Sequence, residues 1–360
     1  MIIAKQPPLG PLTLQRALPF PFRSPNTRLC HSGRTAIWMG LGALGLRAGF
    51  RILVPAWHCG SEIDAILAAD GIPVLYGLNR ELRADPDEIE RLLQCHHADA
   101  VYLIHYFGYP QPLRDIQAIA QRHGARVIED LALGLYSTDV DDVPLGSTSD
   151  MAVYSLVKSL AVPDGGALWL RDPPRKPLPR MTSAPFQQTM PRLKSLVWNF
   201  KRSSARDALA GQSEASRDAW DVHAGFHAAK GAQAASWPTR ALVRLTGHAA
   251  LAQARIETYR SLYAALPWTE RLQPLMPTLP DGACPAFFPL WVQDADAVAA
   301  ALVDAGIEPV RFWRRMHPTF DLQDFPEILA LKRQVIRLPI HRLVDADAIA
   351  RIAAACERAK

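Results

Sequence analysis

Cysteine is scarce in this sequence, and none of it is placed to pair or to hold a metal. Cys30, Cys59, Cys95, Cys284 and Cys356 are odd in number, far apart and without paired metal-ligand spacing. A disulfide framework and a zinc site are thereby excluded, and the five read as reduced, mostly buried thiols. Charge of one sign is also lacking. Forty basic against 35 acidic side chains leave +5, too mild for nucleic acid or an anionic membrane to be the main partner. No run of about eighteen apolar residues occurs. The opening MIIAKQPPLGPL lacks a basic region followed by an apolar run and a cleavage site, so the expectation is a soluble, cytoplasmic protein. No internal repeat or low-complexity tract stands out. What remains is a chain of 360 residues, 49% hydrophobic, able to bury one large core and a smaller second one.

From 32 to 171 helical and strand patterns alternate with short connections, the signature of a mostly parallel sheet covered by helices. A helix is expected over 32–46, then the strand RILVP at 51–55, a helix near 61–69 and the strand IPVLYG at 72–77. Pro86, Asp87 and Glu88 open another helix. AVYLIHY at 100–106 reads as a buried strand, 113–122 as a helix and ARVIED at 125–130 as a strand. MAVYSL at 151–156 and GALWLR at 166–171 read as strands with no long helix between them, which points to an antiparallel element. Between 173 and 235 prolines, basic and small polar residues dominate, interrupted by the apolar-basic stretch PRLKSLVWNFKRS at 191–203, so this segment reads as an irregular connector with one or two short helices. A single long helix is expected over 239–266. Beyond it lie a strand at 286–292, a helix at 294–305, strands at 307–313 and 337–340, and a final helix from Asp345. The chain divides on this reading into 1–240 and 241–360.

Most lysines are solvated surface residues, but the setting of Lys158 differs. It follows the apolar strand MAVYSLV and precedes a glycine pair, Gly165 and Gly166, that allows close backbone approach. A partly desolvated lysine is easier to deprotonate and can attack an aldehyde. Asp130 ends a strand at the carboxyl edge, where open α/β sheets place ligands. Its carboxylate suits a protonated ring nitrogen, and equally a helix N-cap. His31, Ser32, Gly33, Arg34 and Thr35 open a helix whose free amides and dipole favour a phosphate, although serine and threonine there also serve as plain caps. Ser155 can add a hydroxyl to the same phosphate, or simply face solvent.

In these residues the sequence resembles the DegT/DnrJ/EryC1/StrS aminotransferase family. SGRTAI at 32–37 stands where the family has SGTAAL, and RILVPAWHCG at 51–60 is similar to its VIVPSFTF segment. YLIHYFGYPQPLRDI at 102–116 matches its histidine-glycine strand at His105 and Gly108. VIEDLALG at 127–134 resembles VIEDAAQA, and LGSTSDMAVYSL at 145–156 resembles GSLGDIGCFSF. Lys158 lies at the same spacing from the glycine pair as the lysine of KNLTTGEGG, and RLPIHRLVDADAI at 337–349 is similar to the closing strand and helix. The resemblance implies pyridoxal 5'-phosphate as cofactor, Lys158 as the residue that carries it, Asp130 on its pyridine nitrogen, and Gly33, Arg34, Thr35 and Ser155 at its phosphate. It implies an α/β fold with a large, mostly parallel, seven-stranded-type sheet flanked by helices and a small C-terminal α/β domain.

The sequence also departs from the family pattern. Two residues are missing between Ser155 and Lys158, Leu133 replaces a glutamine beside the cofactor, and Arg34 replaces a threonine. Cys59 stands where an aromatic ring stacks on the cofactor, with His58, ahead of Trp57, expected to substitute. ASWPTRAL at 235–242 occupies the place of a segment that completes the neighbouring subunit's site. The expected activity is amino transfer from glutamate or glutamine to a nucleotide-linked keto sugar by a homodimer, with Arg34 or Arg311 pairing the donor carboxylate. The alternative is a non-catalytic protein that binds the cofactor or a sugar nucleotide in regulation or assembly.

Overall fold

The computed structural model describes residues 3–183, 189–190, 193–194, 226, 231–314 and 317–359. Strand β1 (Thr27–Cys30) leads through Ser32 into helix α1 (Gly33–Leu44). The Ser32 hydroxyl accepts from the Thr35 N–H, and Gly45 ends the helix at φ 73°, a left-handed turn that glycine enters without a Cβ clash. Strands β2 (Arg51–Pro55), β3 (Ile72–Tyr76), β4 (Ala100–Ile104) and β5 (Arg126–Asp130) then alternate with helices α2 (Ser61–Leu67), α3 (Pro86–His96) and α4 (Leu113–Arg122). Strand β6 (Met151–Ser155), the one-turn helix α5 (Leu156–Ser159) and β7 (Gly166–Leu170) follow, with short β8 (Thr182–Ser183) and β9 (Gln233–Ala234) at the sheet edge.

The nine strands order β3-β2-β4-β5-β6-β7-β1-β9-β8. Pairing is parallel from β3 through β6 and antiparallel between β6, β7 and β1. The expected parallel sheet and its antiparallel element are therefore both present. Every residue of β4 and β7 is buried: the parallel β4 and the antiparallel β7 both lie inside a sheet covered on its two faces, with no solvated side to alternate towards.

The second lobe opens with α6 (Trp237–Leu245) and α7 (His248–Ala265). Its antiparallel sheet orders β10 (Leu272–Pro274), β11 (Phe287–Val292), β13 (Val335–Pro339) and β12 (Val310–Arg311). Helices α8 (Ala295–Asp304), α9 (Pro326–Gln334) and α10 (Ala346–Arg358) pack around it. Tyr259, Leu262, Phe288, Leu302 and Ile352 form its core, and Ile3 from the other end of the chain joins them.

Three expectations are revised. The single helix over 239–266 is two, broken at Thr246 and Gly247: Thr246 is extended at ψ 132° and bridges Leu12 of the N-terminal segment. The side chains of Thr246 and His248 reach back to the carbonyls of Leu242 and Val243, satisfying the carbonyls that the break exposes. The strand at 307–313 contracts to Val310–Arg311, because Phe312 and Trp313 leave the sheet and Trp313 adopts φ 47°. Third, β1, β10 and α9 fall where the sequence pattern gave no element. Most of the irregular connector at 173–235, with the short helices expected in it, lies outside the described residues.

Candidate active site

Three elements meet where a phosphate is expected. The side chain of Ser155, at the end of β6, has its Cβ 3.7 Å from the position a Cβ on Gly33 would occupy. A Cβ on Gly166 would stand 2.4 Å from the Ser32 carbonyl carbon and oxygen, so β7 presses its glycine directly against the start of α1. Within that turn the Thr35 N–H goes to the Ser32 hydroxyl and the Ala36 N–H to the Ser32 carbonyl. The N–H groups of Gly33 and Arg34 precede any intrahelical acceptor and sit at the positive end of the helix. The Arg34 guanidinium reaches across to Asp64 of α2, 3.6 Å away, so the expected anion ligand already has a carboxylate neighbour. Nearby, buried Asp164 accepts from the Ser236 N–H at 3.0 Å and the Thr239 hydroxyl at 2.9 Å, and lies 4.0 Å from His31.

Asp130 ends β5 at the carboxyl edge of the sheet and is 8% exposed. Its Oδ1 accepts from the Ala132 N–H at 2.7 Å, the local turn bond that a capping role requires. Its Oδ2 accepts from the Tyr102 hydroxyl at 2.6 Å, a short charge-assisted bond from the neighbouring strand β4. Burial and the adjacent carboxylate push the Tyr102 phenol well above its usual range, so it stays a donor.

Lys158 lies on the single turn of α5, with its Nζ 5.6 Å from the centre of the Trp313 ring, within cation–π range. The expected tight loop between Ser155 and Lys158 is this turn, closed by the Leu160 N–H on the Leu156 carbonyl. Beside it Cys59 donates its thiol to Glu62 Oε2 at 2.8 Å and its N–H to Oε1 at 2.9 Å. Burial first, then the Glu62 carboxylate, push the Cys59 thiol up to about 12, and the Lys158 charge partly offsets this. Burial and then the charge of Asp130 raise Glu62 in turn. A neutral thiol and a carboxyl group that resists ionisation thus flank Asp130 and Lys158.

His58 points elsewhere. Its ring meets Phe320 edge-on at 5.8 Å, and burial, then the charges of Lys332 and His317, hold it down to about 3. The buried Lys332 ammonium donates to the carbonyls of His58 and Trp313, and burial lowers it to about 8. The His58 ring meets the second lobe, whereas Cys59 bonds to Glu62 and feels the charge of Lys158. Trp57 is fully buried, stacked on Tyr106 at 5.5 Å. Arg311 pairs with Asp296 in the second lobe and donates to the Arg333 carbonyl.

The sequence profile of the DegT/DnrJ/EryC1/StrS aminotransferase family matches residues 27–357. The chain belongs to that family. Among curated relatives, 3-oxo-glucose-6-phosphate:glutamate aminotransferase of Bacillus subtilis (strain 168) is 33% identical over 125 residues, 34% of this chain and 27% of the relative. UDP-N-acetyl-3-dehydro-alpha-D-glucosamine 3-aminotransferase of Acidithiobacillus ferrooxidans is 28% identical over 146 residues, 40% of this chain and 39% of the relative. These matches span between a quarter and two fifths of the relatives' length. Among solved structures, Spr1654 of Streptococcus pneumoniae in its PLP form superposes with a TM-score of 0.67 at 16% identity, covering 100% of both chains. That likeness concerns the fold, and it covers both lobes.

Against the family pattern, Leu133 is buried and its carbonyl accepts from the Ala286 N–H at the entry to β11, so an apolar side chain and an interlobe bond stand in the glutamine's place. His105 and Glu129 form a fully buried pair at 2.9 Å, with Glu129 also accepting from the Gly146 N–H. Four residues of the site escaped the sequence reading: Tyr102, Glu62, Asp164 and Trp313. Only Asp164 carried a local signal, since it directly precedes the glycine pair. Aminotransferases of this family depend on pyridoxal phosphate. The donor set suits that group: amides and hydroxyls at one end, a held carboxylate at the other, and a lysine on the adjoining turn.

Proposed function

We propose that this chain is a pyridoxal-phosphate-dependent aminotransferase that moves an amino group from glutamate or glutamine to a nucleotide-linked keto sugar, as a cytoplasmic homodimer of two-lobed subunits divided near residue 240. The observation that carries this is the pairing of Asp130, held by Tyr102 at 2.6 Å, with Lys158 on the next strand's end, in a member of this family. Relatives named for a keto-sugar phosphate and for a UDP-linked sugar support the acceptor class.

The cofactor would be held by Gly33, Thr35 and Ser155 at its phosphate, Asp130 at its ring nitrogen and Lys158 at its aldehyde carbon. When bound it supplies an electron sink for the carbon next to the transferred nitrogen. Asp130 would keep a proton on the ring nitrogen, and the Tyr102 hydroxyl on its Oδ2 would hold the carboxylate in place for that task. Lys158 Nζ would take a proton from the donor carbon and hand it to the cofactor carbon on the same face, as base and then acid. Cys59, at the position of the family's stacking ring, is bonded through its thiol to Glu62. Arg34, beside Asp64, remains the candidate for the donor carboxylate, and Arg311 belongs to the second lobe.

The test is the half-reaction with glutamate alone. Purified holoprotein should change its visible absorbance and release 2-oxoglutarate in amounts equal to its sites, while Asp130→Ala binds cofactor but reacts far more slowly. No spectral change with either glutamate or glutamine, in protein whose Lys158 is shown by borohydride reduction and peptide mapping to carry the cofactor, would leave the non-catalytic alternative standing.

A further inference from the structure

One concavity of the described molecule is lined by neither Lys158 nor Asp130. It is a groove of about 1230 Å³ in the second lobe, between the start of β10, the N-terminus of α8, the C-terminus of α9 and the end of α10. Six cations line it, Arg271, Arg311, Arg314, Lys332, Arg333 and Arg358, against two carboxylates, Asp294 and Asp296. For a chain whose whole excess is +5, that is a marked concentration of one sign.

Both carboxylates are already committed. Asp294 caps α8, accepting from the Asp296 and Ala297 N–H groups. Asp296 pairs with Arg311 and lies 3.9 Å from Arg314. The guanidinium groups of Arg271, Arg333 and Arg358 enter no ion pair or hydrogen bond among the described residues. Arginines on a convex surface are screened by water and salt, but cations converging on a concavity focus their field into it. Planar guanidinium forks match phosphate oxygens two at a time. The volume exceeds the upper end of ordinary small-ligand pockets, about 1,000 Å³, and so admits a nucleotide.

We propose that this groove binds a nucleoside diphosphate through its two phosphates, at a site separate from the catalytic cluster. Lys332 makes the site more than a surface patch. Lys332 lines the groove, while its ammonium donates to the His58 carbonyl of the large lobe and to the carbonyl of Trp313, whose ring faces Lys158. A ligand seated here rests against the residue that ties the two lobes together.

Calorimetric titration of the holoprotein with UDP and with inorganic pyrophosphate, at about 0.15 M salt, tests this with the cofactor's own phosphate site filled. Saturable binding of pyrophosphate, one per chain, is expected, with UDP competing for that site; UDP held at the catalytic cluster should survive the charge reversals that follow. Arg271→Glu and Arg333→Glu, both at exposed positions, should each weaken pyrophosphate binding by about tenfold or more, with the absorbance of bound cofactor unchanged. Absence of saturable binding at millimolar ligand, equal affinity in the charge-reversed variants, or binding of UDP without pyrophosphate would each overturn the proposal. The measurement requires no turnover, so it fails or succeeds independently of the amino-transfer reading.

Discussion

Asp130 illustrates how a residue with two readings can satisfy both. One carboxylate oxygen makes the turn bond of a cap and the other takes the Tyr102 hydroxyl. Its strand-end position was legible from ARVIED, but the tyrosine was not, because the contact depends on how β4 and β5 pair. With Ile104 opposite Asp130, Tyr102 comes two residues back on the same face. His58 gives the residue-scale prediction. Burial holds it down to about 3 against an ordinary 6.5. The unfolded chain therefore takes up a proton near pH 6.5 that the folded chain refuses until about pH 3, so unfolding is favoured as pH falls through that window. At pH 5 the loss amounts to about 2 kcal/mol. Denaturant titrations of the apoprotein should show His58→Phe losing about 2 kcal/mol less than the parent between pH 7 and pH 5. Parallel pH profiles for the two proteins would show that the ring is not a buried neutral group.

At the scale of elements, the site depends on β7 lying flush against α1. Gly165 adopts φ 133°, and Gly166 leaves no room for a Cβ beside the Ser32 backbone. The glycine pair was visible in the sequence as permission for close approach, but which element approaches was not, since Ser32 and Gly166 are distant in the chain and meet because β1 pairs with β7. Gly166→Ala should force the two apart, because the atoms it meets are backbone and cannot swing aside. We expect a loss of about 1–3 kcal/mol in stability, together with loss of cofactor under dialysis conditions that the parent withstands. An alanine variant with parental stability and cofactor retention would mean that the contact at Ser32 is slack.

At the scale of the whole molecule the prediction concerns a proposed homodimer. ASWPTRAL, where the family places a segment reaching the neighbouring site, begins α6, and Trp237 there is 65% exposed. A large ring left in water on one protomer is suited to burial against a second. Light scattering at micromolar concentration should report a dimer, and Trp237→Glu should shift it towards monomer. A monomeric parent with its cofactor bound would contradict this. Within one subunit the lobes are already joined: Ile3 packs in the second core, Leu133 bonds to Ala286, and Lys332 to the His58 carbonyl.

By itself the sequence determined the order and type of most elements in the large lobe, because short apolar runs alternate there with helix caps and turns. It also marked Asp130, Ser155 and Lys158, which lie at strand ends that the same local pattern defines. Tertiary structure alone decided what surrounds them. Tyr102 arrives through strand register, Glu62 through the burial of α2 beneath the Cys59 turn, and Trp313 through the second lobe. The break in the 239–266 helix depended on a bridge to Leu12, from the opposite end of the chain. Local periodicity reports which face of an element is apolar, whereas these contacts depend on which distant element covers that face, and only packing determines that.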